Sequence, residues 1–559
     1  MGYAIATRYE VRGTLVCLSP VHVGGWDHTA DAHLTVIRDG ADRPILPGTS
    51  IAGALRAYLG RLERFQADQG PTPVENLFGR ITPKTQEGSP SWVRIDDAYL
   101  IDESVTPVVR DGVGIDRHAG SAAAGCLYTR QVLPPGTRFA LRMVVDTPTA
   151  VPETSYPDGW PALVRDALET MIAGLRHAQV PIGAGRGSGL GKVQLTEVTV
   201  RRADLSDPAG LVAWLTGTAP AVPLGEAAAS PPADGRLRVT VTWQPVSPLL
   251  VRDSLSSTLV DTLPLTEPGP DGTVRLLLPG SSLRGALRAY AERIERTVRG
   301  EDAPRCEPDR FGEALRNPPP VVGALFGVAP ARDRAASRTG GEPAPAPEGR
   351  GTKRRGALAV ADCHSVHSIP QEEWHYIVTG TPEQTGSACQ EAREQRAEQK
   401  DERERARALL RAALEKLRGT TPLSISDHVA IDRWTGGASD HRLFSVLDPA
   451  TTMEWEPIHL EVDTAWLQRH PEPGISSAAL ALLLILLRDL RDGWLTLGYG
   501  GTRGRGQVQL TDVRFDGAGL PEPWNALAGK TLDDILTDPP AQVVDAIAAW
   551  RDMTTKEAV

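Results

Sequence analysis

Pro47 to Tyr58 reads PGTSIAGALRAY, and 232 positions later Pro279 to Tyr290 reads PGSSLRGALRAY. A Pro-Gly turn, a Ser/Thr pair and an Ala/Leu/Arg run predict a helix start, with Thr49 or Ser50 and Ser281 or Ser282 capping its first N–H groups. Three more pairs follow in the same order. Leu77-Phe78-Gly79 returns as Leu325-Phe326-Gly327, 248 positions on, and Ile115-Asp116-Arg117 returns as Ile431-Asp432-Arg433, 316 on. The string GKVQLT from Gly191 returns as GQVQLT from Gly506, 315 on. Four ordered matches read as two copies of one fold.

The copies are expected at 1–217 and 236–559, joined by an Ala/Pro/Gly-rich linker at 218–235. The jump in offset from 248 to 316 places an insertion in the second copy, read as about residues 330–420. Its first part, Pro330 to Arg355, has loop composition, and its second, Glu391 to Arg418, reads as an exposed charged helix docking by its last turns.

Each copy opens with an alternating strand, RYEVRGTLVC from Arg8 and RLRVTVTWQ from Arg236. Each closes with an amphipathic helix, a Gly-rich turn (GAGRGSGLG from Gly183, GYGGTRGRG from Gly498) and a strand. Strand–helix early and helix–strand late, with strands between, predicts an α+β, split β-α-β core of ferredoxin-like (RRM-like) type. The Gly-rich turns follow a helix and precede a strand, the reverse of a dinucleotide fingerprint, and no GxxxxGK[ST] run occurs. Glycines let backbone N–H groups approach phosphates, and Arg186, Gly187, Lys192, Arg503 and Arg505 are expected to face them. The free helix starts at Gly48 and Gly280 are read as further anion sites.

Lys plus Arg total 60 against 70 Asp plus Glu, a net charge of −10, which excludes a wholly cationic surface but not a local basic groove. With 41% hydrophobic residues the chain has material for a core. Five cysteines make no disulfide framework, and the start lacks an apolar signal core, so a cytoplasmic protein is expected. The apolar run Ala478 to Leu487 is too short to span a bilayer.

Taken together these residues resemble the RAMP superfamily of CRISPR effector proteins, specifically the backbone subunits of type III complexes. The resemblance rests on His22-Val23-Gly24-Gly25 after the first strand, the PGSS-type helix starts, the two Leu-Phe-Gly segments and the terminal Gly-rich loops. It rests above all on DHVAIDRWTGGA from Asp427, of which DGVGIDRHAG from Asp111 is a worn version. The resemblance implies two tandem modified ferredoxin-like domains with Gly-rich loops and thumb hairpins, stacked along a guide CRISPR RNA. It implies a complementary target RNA, other RAMP subunits and a large subunit as partners, and no membrane. Candidate RNA contacts are His22, Gly48, Ser50, Arg56 and Arg117 with the first Gly-rich loop, and Ser281, Ser282, Arg284, Arg288, Asp427, His428, Arg433 and Trp434 with the second. Trp434 stacks on a base, a contact worth about 1–3 kcal/mol, or packs within its hairpin.

The resemblance further implies target-RNA cleavage by an aspartate from the loop after the first strand, with Mg²⁺ or another divalent cation. In VDTLPL from Val260 that residue is Asp261. In the first copy, AHLTVIRD from Ala32 puts His33 at the expected position, with Asp31 two residues earlier. Either the loop is shifted and Asp31 serves, or this copy binds without cutting. His22, Asp27, His28, Asp31 and His33 crowd one loop, a poor preformed metal cage. Cys363, His364 and His367, with Cys306 and Cys389, lack paired CxxC half-sites, so no structural zinc is expected. The alternatives to a cleaving backbone subunit are a non-catalytic scaffold and a histidine-dependent guide-processing endoribonuclease.

Overall fold

A computed structural model describes residues 4–26, 32–66, 72–81, 88–102, 104–116, 118, 120–149, 159–225, 232–254, 257, 260–269, 272–302, 317–329, 354–379, 410, 412, 414–415 and 422–555. The chain forms two compact units, one of Met1–Gly112 and Tyr128–Asp234, the other of Gly235–Val559 with Val113–Leu127.

In the first copy the opening strand Ile5–Cys17 lies between the return strand Arg138–Pro148 and the closing strand Val193–Asp204, antiparallel to both. The short strands Val93–Ile95 and Ala98–Leu100 pair with the outer side of the return strand. Alternation decides the faces. Val11 and Leu15 turn inward against Ile51, Leu55 and Tyr58 of the opening helix Gly48–Leu59 and Leu168, Met171 and Ile172 of the closing helix Trp160–Arg176. The outward residues are charged and paired: Arg8 grips both oxygens of Asp146 at 2.7 and 2.8 Å, and Glu10 receives Arg12 and Arg142.

The second copy repeats this order. A four-stranded sheet runs from Leu358–Val360 through the return strand Ile458–Asp463 and the opening strand Arg236–Pro245 to the closing strand Val508–Asp516. The opening helix Gly280–Arg299 and the closing helix Ile475–Arg491 share its core. The apolar run Ala478 to Leu487 is this helix's buried body, and among the described residues no helix is long and apolar enough to cross a membrane.

Two expectations are corrected here. The edge strand Leu358–Val360 falls inside the bounds of about 330–420 given for the insertion, between its loop-like part Pro330 to Arg355 and its charged part Glu391 to Arg418, so those outer bounds enclose part of the sheet. An offset between distant matches cannot say where within the interval extra residues lie. Nor do Thr49, Ser50, Ser281 or Ser282 cap the opening helices, neither of which has a side-chain cap of that kind. Instead the Gly48 N–H donates to Asp97 Oδ1 at 2.8 Å and the Gly280 N–H to Asp362 Oδ1 at 2.7 Å, each carboxylate arriving from the edge-strand region. A carboxylate of the protein itself already holds the N–H expected to bind an anion. The glycines serve close approach: a Cβ on Gly48 would lie 2.1 Å from the Ile95 carbonyl oxygen, and one on Gly280 2.2 Å from that of Val360. Asp362→Ala is expected to lower stability by about 0.5–2 kcal/mol, the usual worth of a lost N-terminal cap, measured by thermal unfolding.

Candidate nucleic-acid interface

In both copies the loop after the opening strand docks along the second strand of a hairpin, through the same bonds. The hairpins are Val108–Asp116 with Ser121–Val132, and Leu423–Ile431 with Ala438–Pro449. In the second copy the Thr262 N–H donates to the Ser445 carbonyl at 3.0 Å and the Leu447 N–H to the Thr262 carbonyl at 2.9 Å. In the first, the Leu34 N–H donates to the Thr129 carbonyl at 3.1 Å and the Gln131 N–H to the Leu34 carbonyl at 2.8 Å. The offset is a constant 228 in the loop and 316 in the strand, so the first-copy loop is not shifted and His33 stands where Asp261 stands. Asp27, His28 and Asp31 lie outside the described residues.

The side chains at this position are held by the partner hydroxyl residue. The Ser445 N–H and Oγ donate to Asp261 Oδ2 at 2.8 and 3.1 Å, and the Asp261 N–H donates back to Ser445 Oγ at 3.2 Å. In the first copy the Thr129 N–H donates to His33 Nδ1 at 3.1 Å, Thr129 Oγ1 lies 2.8 Å from the same nitrogen, and the His33 N–H donates to Oγ1 at 2.9 Å. Asp261 is exposed, and its Oδ1 makes no hydrogen bond among the described residues. Register places Asp427 directly opposite Ser445 on the partner strand. A single exposed carboxylate is a ligand type that Mg²⁺ takes together with waters and phosphate oxygens. Ser445 and Thr129 were not singled out from sequence. The signal was there: both carry hydroxyls at matched positions, 316 apart.

The Ile-Asp-Arg segments build the hairpin tips. The Asp432 carboxylate accepts from the Trp434 N–H at 2.7 Å, its carbonyl accepts from the Gly436 N–H at 2.8 Å, and Gly436 sits at φ 69°. Asp116 does the same for the His118 N–H at 2.9 Å and the Gly120 N–H at 2.8 Å, with Gly120 at φ 65°. Left-handed backbone at those points is why glycine recurs. Arg117 lies outside the described residues. Arg433 is exposed, as is Asp427, and Trp434 is 96% exposed, which removes hairpin packing as its role. Val429, Ile431 and Leu443 are also exposed along the second hairpin. Trp434→Ala is expected to change thermal stability by less than about 0.5 kcal/mol while weakening RNA binding by about 1–3 kcal/mol; titration and thermal unfolding of one sample check both.

The Gly-rich loops share one conformation, a short 3-10 turn between two left-handed glycines: Arg186–Ser188 between Gly185 and Gly189, Gly501–Arg503 between Gly500 and Gly504. Gly187 is the middle residue of the first turn. Gly183 and Gly498, which open the two loops, serve close backbone packing. A Cβ on Gly183 would lie 2.3 Å from the His22 carbonyl oxygen and one on Gly498 2.4 Å from that of Leu250. His22 and Leu250 are therefore equivalent, each carbonyl accepting an N–H from the loop, Ala184 or Tyr499, at 2.8 Å.

Three predicted contacts are side chains already engaged within the fold. His22 is 3% exposed, its Nδ1–H donates to the Gln131 carbonyl at 2.7 Å, and burial lowers its pKa, so it is a neutral structural histidine. Arg505 is 7% exposed, ion-paired with the 1% exposed Asp448 and donating to His428 Nε2 at 3.2 Å. His428 in turn stacks on Phe444, and Ser426 Oγ donates to Asp448 at 2.6 Å. Arg284 donates to the carbonyls of Leu358 and Phe326, pinning the opening helix to the edge strand, and burial pulls its pKa down to about 10. Arg288 pairs with Glu292 on its own helix. Arg56, Lys192, Ser281 and Arg503 remain exposed; Ser50 and Ser282 are half-buried, and Arg186 Nε donates to the Gly183 carbonyl. Sequence composition showed the cations, not which ones turn inward.

Cys306 and Cys389 lie outside the described residues. The buried Cys363 thiol donates to the Glu456 carbonyl, and burial raises its pKa. His364 lies 2.7 Å from Glu267 and 3.4 Å from Glu456. No group of three or more His, Cys, Asp or Glu side chains poised for a metal occurs among the described residues.

Fold and site define a class: a tandem α+β protein carrying, twice, an exposed hairpin with a loop residue latched to its base. Comparison with protein families matches the RAMP superfamily over residues 14–194 and 245–509, one stretch in each copy. The chain belongs to the RAMP superfamily, a family of CRISPR-associated RNA-binding subunits. No curated protein matches it.

Proposed function

We propose that this chain is a guide-RNA-binding backbone subunit of a type III CRISPR ribonucleoprotein that holds the guide–target duplex and cleaves the target RNA. The sheet order, with the opening strand between the return and closing strands and the first edge beyond, supports a ferredoxin-like palm in each copy. The observation that carries the reading is Asp261, latched through one oxygen to Ser445 at the base of a hairpin whose tip presents Trp434 to solvent. The hairpin separates bases, and the aspartate lies where the displaced backbone passes.

Cleavage is in-chain transfer. The 2′-oxygen bonds to the adjacent phosphorus, the 5′-oxygen leaves with a proton, and a cyclic phosphate remains. Asp261 Oδ1 accepts the hydrogen bond of the attacking hydroxyl, and it is the atom that would hold a divalent cation. When bound, that cation offsets the charge developing on the phosphodiester. Ser445 fixes the carboxylate's orientation, so little reorganisation is left for the reaction. A cytoplasmic setting and neighbouring RAMP and large subunits complete the proposal.

The test is to purify the full chain with the RNA it carries and add labelled complementary RNA with Mg²⁺. Cuts at regular spacing support the reading. No cut in Mg²⁺ or Mn²⁺ leaves a scaffold, and trimming of precursor guide RNA by the chain alone favours the processing enzyme.

A further inference from the structure

We infer that cutting is confined to the second copy and that the first holds RNA without cutting; this rests on Asp261 acting as just proposed. The two loops occupy one frame, bond for bond, so the comparison is between single side chains. A backbone N–H only donates, so the Thr129 N–H fixes His33 Nδ1 as an acceptor and puts the ring proton on Nε2. The remaining ring nitrogen is then a neutral N–H donor. It has no lone pair for a cation and cannot accept the proton of an attacking hydroxyl. Moving the proton to Nδ1 would exchange the bond from the Thr129 N–H for one to Thr129 Oγ1, 2.8 Å away, and would still supply no anionic oxygen. Asp261 held in the same way keeps a second, anionic oxygen.

The surroundings diverge together with this position. Arg505, Asp448 and His428, joined beneath the second hairpin, correspond at offsets of 315 and 316 to Leu190, Val132 and Gly112. Leu190 and Val132 are both buried, so the first copy has apolar residues where the second has its buried ion pair. The charged network is kept only in the copy that has the aspartate, and Asp448 lies three residues beyond Ser445 on the same strand.

The test uses the full chain with its copurified RNA, an end-labelled complementary RNA and Mg²⁺, comparing wild type, Asp261→Asn, His33→Ala and His33→Asp. Residues 33 and 261 are both exposed, so these variants fold. Asp261→Asn is expected to remove one product, and His33→Asp to add one that the wild type does not make. A product that survives Asp261→Asn and disappears in His33→Ala overturns the inference while leaving the role of Asp261 standing. No cleavage by wild type in any divalent cation overturns both.

Discussion

Asp261→Asn is expected to slow one target-RNA cut by at least about a hundredfold while leaving guide binding and folding intact. The substitution is nearly isosteric, and the amide oxygen still accepts from the Ser445 N–H and hydroxyl, so the loop stays latched. What disappears is the negative charge and the second carboxylate oxygen. The site is exposed, so no burial penalty changes, and thermal stability is expected to move by less than about 0.5 kcal/mol. Single-turnover rates of each product band, with a parallel unfolding scan, separate chemistry from folding. An unchanged set of products would remove Asp261 from the reaction.

The second large effect is on stability. Arg505→Ala leaves the Asp448 carboxylate buried, with Ser426 as its remaining hydroxyl donor. Stranding a buried charge costs about 3–5 kcal/mol, and a marked fall in the unfolding midpoint is expected. The first copy supplies the control. Arg505→Leu combined with Asp448→Val installs the residues at positions 190 and 132, and apolar replacement of a buried ion pair is close to neutral. The double variant is therefore expected to recover most of the loss seen in Arg505→Ala. Equal destabilisation in both would mean that the pair itself, rather than the stranded charge, holds the hairpin.

Local chemistry was legible in the sequence, and long-range placement was not. The hairpin tips follow from Asp116 and Asp432 as turn acceptors and Gly120 and Gly436 as left-handed residues, all within a few positions of one another. The duplication was equally readable, because repeated spacing needs no coordinates, but the choice between His33 and Asp31 as the counterpart of Asp261 waited on the hydrogen bonds that set the loop's register. The caps on the opening helices were not: Asp97 and Asp362 come from 49 and 82 residues away, and nothing near Gly48 or Gly280 announces them. Arg505 looked like one more cation in a Gly-rich loop. Only the arrival of Asp448 and His428 from the hairpin turns it inward. The glycines invited a phosphate-cradle reading, whereas Gly183 and Gly498 are needed to let carbonyls at 22 and 250 approach. The net charge of −10 says little either way, since the opening sheet's outward arginines are paired within the fold.

The most direct test of the central claim is to sequence the RNA that copurifies with the full chain and follow its release as salt rises. An RNA-holding subunit gripping a backbone should carry guide RNAs of uniform length and lose them steeply with ionic strength. Copurified RNA no richer in guide sequences than that bound by an unrelated protein would contradict the account.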